Sequence, residues 1–205
     1  SLAACGAAYQ GLFKNPLADP YLIGVASGAG LGATVVLGSG IPMYLVGVSV
    51  LPLAAFTGGL IAVGVAYTVA RQSDGAALTT LILSGVAIAS LAGAVTSLLM
   101  IRSDPELKPV LSWLLGGFIS ARWSQSLFVI LYLIPVGLTL AAYGRILNVM
   151  QLDESHAAQL GLNLERVKLV LVVSATLGTA AAVSFSGLIG FVGLVAPHVV
   201  RLAWG

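Results

Sequence analysis

The chain has 205 residues, 59% of them hydrophobic and 8% charged, and a net charge of +2, with a mean hydropathy of +1.05. Soluble domains carry about 25% charged residues, so water is not its main solvent, and a soluble helical core is set aside because no polar face recurs at a 3.6-residue period. The small, dispersed charge argues against a nucleic-acid partner, and Cys5 stands alone, which excludes a disulfide framework or a cysteine-based metal site within the chain.

Ser1 leads without a basic flank into an apolar segment ending near Phe13, so no signal peptide is read there. That start, and the short element closing at Arg201 to Gly205, lead to the expectation of a fragment. Residues 20 to 70, 75 to 101, 123 to 144 and 169 to 200 contain no Asp, Glu, Lys or Arg. Each stretch exceeds the roughly 20 residues that span a bilayer core. The first, 51 residues long, is too long for one crossing, and Gly38, Gly40 and Pro42 divide it into helices predicted at 21 to 37 and 43 to 70. A third is predicted at 76 to 101, after a polar turn at Arg71, Gln72, Ser73 and Asp74. The apolar segment Val110 to Ile119 is too short to cross alone, and Trp113 and Trp123 suit an interfacial position. A fourth crossing is predicted at 123 to 143, then a mixed loop at 144 to 168, then a fifth crossing at 168 to 186 that Gly187, Gly190 and Gly193 loosen before Pro197. The expected fold is all-α: a polytopic transmembrane helical bundle, one domain over 1 to 205, with lipid around it.

Loops that alternate to one side carry Lys14, Arg71, Arg145, Arg166 and Lys168, against Arg102, Lys108 and Arg122 on the other. This bias puts the 12 to 20, 71 to 75 and 144 to 168 loops in the cytoplasm. Gly24, Gly28 and Gly32, and likewise Gly85, Ala89 and Gly93, recur every four residues, a spacing that favours close helix packing in lipid. The alternative for both sets is that glycine is simply common in transmembrane helices.

Three segments are more specific. Phe13 to Gly32 is a turn feeding a helix, in which Asp19 is expected to cap the first turn, Pro20 to take the first helical position, and Asn15 before Pro16 to favour an extended approach. Trp113 to Phe118, followed by Trp123 to Ser126, is the second; Gly187 to Arg201 is the third. Together they closely resemble the iron-siderophore, haem and cobalamin permease family, the membrane subunits of type II ABC importers. The matches lie in order and extend over essentially the whole chain.

The resemblance implies a fragment of a roughly ten-helix permease of a bacterial or archaeal inner membrane. Such a permease works as a homodimer with two ATP-binding subunits and an extracytoplasmic substrate-binding protein, on a metal chelate. Siderophore iron is the commonest cargo of the family, with haem and cobalamin as alternatives. The segment 147 to 168 would be the cytoplasmic element that couples to the ATPase, with Asp153, Glu154, Ser155, His156, Ala157, Gln159, Leu160 and Gly161 as its contact residues. As a sequence its centre reads as a short helix with acidic residues first and Gly161 as the stop. Thr79 and Thr80 fall where the family narrows its path; the plain reading is a pair of hydroxyls satisfying local carbonyls. Arg102, Lys108 and Arg122 are candidates for docking the binding protein, beside the reading as ordinary interfacial cations.

His156 and His198 fall on opposite sides of the fifth crossing, so they share no metal ion; His198 is expected in a Pro-His turn that starts the next helix. No Gly-x-x-x-x-Gly-Lys-Ser/Thr run occurs, so nucleotide chemistry is expected on another chain and no cofactor on this one. The charge-free helices lack the buried carboxylates or histidines of a proton relay, which sets an ion-coupled secondary transporter behind the importer; a membrane scaffold is remoter still.

Overall fold

The computed structural model describes residues 1–42, 44–45, 48–72, 78–102, 107–118, 123–152, 157 and 161–204. In order these form α1 (Leu2–Leu12), a 3-10 turn (Pro20–Ile23), α2 (Val25–Gly38), strands β1 (Tyr44–Leu45) and β2 (Val48–Ser49), α3 (Val50–Arg71), α4 (Leu78–Arg102), α5 (Leu107–Leu114), α6 (Trp123–Leu152), α7 (Leu164–Ser186) and α8 (Val192–Trp204). Helices dominate because hydrocarbon offers no partner for a backbone N–H or C=O, so each segment satisfies its own. Among the described residues four helical stretches are long and apolar enough to cross a membrane: α3, α4, residues Gln125–Leu152 of α6, and α7.

Several boundaries differ from the sequence expectation, each for a local reason. The span expected at 21 to 37 is divided at Gly24, whose φ of 89° ends the 3-10 turn. The α2 that follows has 14 residues, roughly 21 Å at 1.5 Å per residue, less than a ~30 Å bilayer core. The helix expected from residue 43 begins at Val50, after an antiparallel hairpin pairing Tyr44 with Ser49 and Leu45 with Val48. Pro52 explains this: it is tolerated in the first turn of α3, whereas an interior position would delete a hydrogen bond and clash with the preceding turn. α6 continues past residue 143 to Leu152, and Pro135 lies inside it. α7 starts at Leu164 because Asn163 caps it, its Oδ1 accepting the Arg166 N–H at 3.0 Å. Nor does Pro197 open a helix: α8 already starts at Val192 and includes both Pro197 and His198.

The chain divides into two units. The first contains residues 1–20, 127–179 and 190–205. Gly178 of α7 lies where three helices meet; a methyl group there would come within 2.7 Å of Cys5 Sγ and 2.9 Å of Val136 Cγ1. Buried Tyr9 donates from its hydroxyl to the Val172 carbonyl at 3.2 Å and shares a 2.9 Å hydrogen bond with the Thr176 hydroxyl. α1 also packs along α8, with Gly6 directly against the Gly193 carbonyl. Pro197 supplies no N–H to that carbonyl, which leaves it to the α1 backbone.

The second unit contains residues 21–126 and 180–189. Its core is small: Ala29, Ala33, Ala55 and Val183, with Tyr21, Leu51, Trp113 and Leu188 packed around them. α2 packs against α3, α4 and α5. Gly28 faces Ala62 and the Gly58 carbonyl, and Gly32 faces the Ala54 carbonyl. The glycine spacing on α2 is therefore a packing seam. The stripe on α4 is only partly one: Gly85 lies against Ile23, where a methyl group would come within 2.6 Å of the Ile23 Cα, while Gly93 meets nothing. Ser84 adds an interhelical bond, its hydroxyl donating to the Ala66 carbonyl at 2.8 Å.

These contacts separate two glycines of similar sequence context. Gly28→Leu forces α2 from α3 and lowers stability by about 1–3 kcal/mol, the usual cost of overpacking; Gly93→Leu stays within about 0.5 kcal/mol. Thermal unfolding of the two variants in one detergent checks this, and equal losses contradict the assigned seam.

Candidate functional site

Parts of the three sequence segments singled out above meet within the second unit, and parts of the first and third meet within the first unit. In the second unit the Tyr21 hydroxyl donates to the Ile189 carbonyl at 3.0 Å. The Gly117 N–H donates to the Ser186 carbonyl at 2.7 Å. Gly116 and Gly187 have φ of 70° and 67°; Gly116 lies close to the Leu188 carbonyl and Gly187 to that of Trp113. A side chain at either position would meet both a left-handed backbone and an occupied space. The end of α5, the end of α7 and the start of the 3-10 turn thus bind through main chain to main chain, with Tyr21 as the side-chain link.

In the first unit the contacts run through Gln10. It is only 3% exposed; its amide Nε2 donates to the Leu194 carbonyl at 3.2 Å, and its Oε1 accepts from the Arg201 guanidinium. A buried amide satisfied on both sides fixes α8 on α1 more specifically than apolar contact does. Beyond Gln10, α1 stops in a Schellman turn: Asn15 N–H donates to the Gln10 carbonyl at 3.0 Å and Lys14 N–H to that of Gly11 at 3.3 Å. The left-handed position that glycine usually fills is here Lys14, with φ of 50°. Asn15 then turns the chain, its Oδ1 accepting the Leu17 N–H at 2.9 Å. Pro20 opens the 3-10 turn as expected of a first helical position, and its ring packs on Gly193.

Phe191 is a second unusual residue. Its φ is 66°, and the Val192 N–H donates to the Gly190 carbonyl at 2.9 Å across it, while the Phe191 carbonyl accepts from Leu194 and Val195 at 3.1 and 2.8 Å. A tight three-residue turn of positive φ is the rarer, strained hand. It starts α8 with a bulky ring held outward, 73% exposed.

Of the residues named from the sequence, Ala157 is buried and Gly161 is exposed with φ of 79°. Asp153, Glu154, Ser155, His156, Gln159 and Leu160 lie outside the described residues, as does Arg122. Thr79 and Thr80 sit in the first turn of α4, the former exposed and the latter half-buried. Arg102, the last residue of α4, and Lys108, on α5, are exposed. The Leu162 N–H, next to Gly161, donates to the Ala157 carbonyl at 3.3 Å; among the described residues no group of three His, Cys, Asp or Glu could hold a metal ion. Sequence reasoning missed Gln10; its signal was a lone amide in an otherwise uncharged apolar segment. His198 is exposed on α8.

The chain belongs to the FecCD transport family, which it matches over residues 1–205. It is 43% identical over its full length to the cobalamin import system permease protein BtuC of Halobacterium salinarum, covering 54% of that protein. It is 38% identical to the hemin transport system permease protein HmuU of Yersinia pestis, matching over the whole chain and 62% of the relative. Its backbone superposes with a TM-score of 0.89, at 30% identity, on a solved inward-facing structure of a transporter assigned to the metal-chelate ABC type, over 98% of this chain and 63% of the other. The chain thus spans somewhat more than half the length of the relatives it matches.

Two substitutions test the joint at Gln10. Gln10→Leu removes the two interhelical hydrogen bonds to the Leu194 carbonyl and the Arg201 guanidinium and costs about 1–3 kcal/mol; unfolding in detergent measures it, and a variant as stable as the parent rules the joint out. Lys14→Gly relieves a left-handed side chain and raises stability by about 1 kcal/mol in the same measurement.

Proposed function

We propose that the chain is part of the permease of a binding-protein-dependent ABC importer of a bacterial or archaeal inner membrane, and that its cargo is a metal chelate. The observation that carries this is family membership over the whole chain, together with a backbone match to a metal-chelate type transporter. Four apolar helices of crossing length support a multi-pass membrane protein. The two relatives above are named for cobalamin and for hemin, so a macrocyclic chelate of cobalt or iron is the favoured cargo over siderophore iron. The chain is a transport subunit and not an enzyme; ATP hydrolysis belongs to separate subunits.

In this reading two permease copies surround a shared path. Two ATP-binding subunits bear on the segment from Asp153 to Gly161, and an extracytoplasmic binding protein delivers the chelate, with Arg102, Lys108 and Arg122 as its docking cations. Thr79 and Thr80 line the cytoplasmic mouth. The geometry after the coupling segment supports transmission: Gly161 turns in the left-handed region, and two residues later Asn163 caps α7. α7 is a continuous helix of 23 residues whose Ala175 and Thr179 are fully buried. A displacement at the segment therefore passes to a stiff, packed rod and biases a two-state change of access.

Gly161→Val places a β-branched side chain where the left-handed backbone costs roughly 1–2 kcal/mol, and paired Asp153→Ala and Glu154→Ala changes remove the acidic contacts. In liposomes holding the complete importer, both variants are expected to keep binding-protein docking but to hydrolyse ATP without proportionate chelate uptake. Coupled uptake at the parental ratio refutes the assignment of this segment, and uptake that persists without ATP refutes the importer itself.

A further inference from the structure

Tyr9 on α1 and Thr176 on α7 are 1% and 3% exposed, so this chain itself fills the space around them. α1 is joined to its two neighbours in different ways. Along α8 it packs backbone on backbone, at Gly6 and Gly193, and Gln10 adds its bond to the Leu194 carbonyl. These contacts make α1 and α8 one body. α7 is reached instead by side chains: Cys5 against Gly178 and, one turn on, Tyr9. The Tyr9 hydroxyl bonds the Val172 carbonyl at 3.2 Å and the Thr176 hydroxyl at 2.9 Å. Its ring is fixed as well, stacked on Phe13 with centroids 5.6 Å apart and planes 9° from parallel. Val172 lies roughly 14 Å along α7 from the Asn163 cap, at 1.5 Å per residue.

The hydrogen bonding of this joint is asymmetric. Thr139 and Thr179 donate to the carbonyl four residues earlier on their own helices, at 2.8 and 2.7 Å. For Thr176 that carbonyl belongs to Val172, and Tyr9 occupies it. With the tyrosine proton on the carbonyl, the threonine proton points to the tyrosine oxygen. Were Tyr9 withdrawn, rotation about χ1 would return the Thr176 hydroxyl to Val172, and α7 would keep no orphaned group. Separation therefore strands only the Tyr9 hydroxyl, at the desolvation cost of a buried polar group without a partner. That cost makes α1 follow α7. We propose that Tyr9 is the positioning residue through which α7 moves α1 and α8 during transport, its hydroxyl holding them to the Val172–Thr176 turn. The inference rests on the importer reading above, in which the segment before Asn163 receives the ATP-driven displacement. A purely structural bond contributes to stability alone; a transmitting bond also sets how much transport each hydrolysed ATP yields.

Tyr9→Phe keeps the ring and its stacking and removes the hydroxyl. Thr176 turns back to Val172, so the variant folds and melts within about 4 °C of the parent. In liposomes holding the complete importer, with cyanocobalamin, hemin and a ferric hydroxamate as probes, it is expected to move about fivefold less chelate per ATP hydrolysed. Thr176→Val tests the same bond without touching the ring. It lowers the ratio less, because the Val172 carbonyl still holds Tyr9, and lowers it no further in the Tyr9→Phe background. Thr176→Ser keeps the hydroxyl and stays at the parental ratio. Tyr9→Phe at the parental ratio, or losses from the two changes that simply add, reduces the bond to packing and overturns the proposal. A parent that moves none of the probes on ATP overturns the importer reading instead, and this inference with it.

Discussion

A polypeptide in hydrocarbon has no water to complete its backbone hydrogen bonds, and a helix can break only where another part of the protein meets the freed groups. The second unit shows how this is met. α5 and α7 end next to each other, and the Gly117 N–H reaches the Ser186 carbonyl while Tyr21 closes on the Ile189 carbonyl. Each break supplies the partner for the other. The requirement explains the glycines as well: main chain can bond to main chain only if no Cβ intervenes, and Gly116 and Gly187 each lie against a carbonyl of the opposite segment.

The same constraint shapes the first unit through prolines and a single amide. Pro197 deprives the Gly193 carbonyl of its helical donor, and Gly6 brings the α1 backbone against it. Gln10 takes up the next carbonyl, that of Leu194, and holds Arg201 with its other end. A weak carbon-hydrogen contact at Gly6 would hold two helices poorly; the amide adds a directed bond within one turn of it. Strained residues follow. Lys14 and Phe191 occupy left-handed positions in the turns on either side of this joint.

What was legible beforehand follows from which physics acts locally. Apolar runs free of charge reported helix and membrane because the transfer of a charged group is costly wherever the helix lies, and α4 and α7 were found to within a few residues at either end. The start of α3 was not legible, because Pro42 and Pro52 both punctuate the apolar run and only the fold shows that Pro52, in the first turn, marks the boundary. The glycine spacing on α2 was readable as a packing seam. On α4 the same spacing was not, because Gly85 and Gly93 are alike in sequence and differ only in whether Ile23 is opposite. Gln10 was invisible for the same reason: an isolated amide in an apolar helix acquires meaning only from carbonyls 184 positions away in the chain. The residues named for coupling, the path and docking came from resemblance, since no local physics distinguishes Thr79 or Arg102 from an ordinary helix-end residue.

The motif segments therefore carry backbone geometry more than chemistry. Their most constrained positions are glycines, a proline, and residues in left-handed turns, and their hydrogen bonds run largely to carbonyls. Such positions tolerate little change, because a Cβ at Gly116 or Gly187 clashes with the main chain of the opposite segment. Relatives named for two different chelates match this chain over its whole length, at 43% and 38% identity. The contacts that close these breaks depend on the absence of a Cβ and on main-chain groups, not on side-chain chemistry.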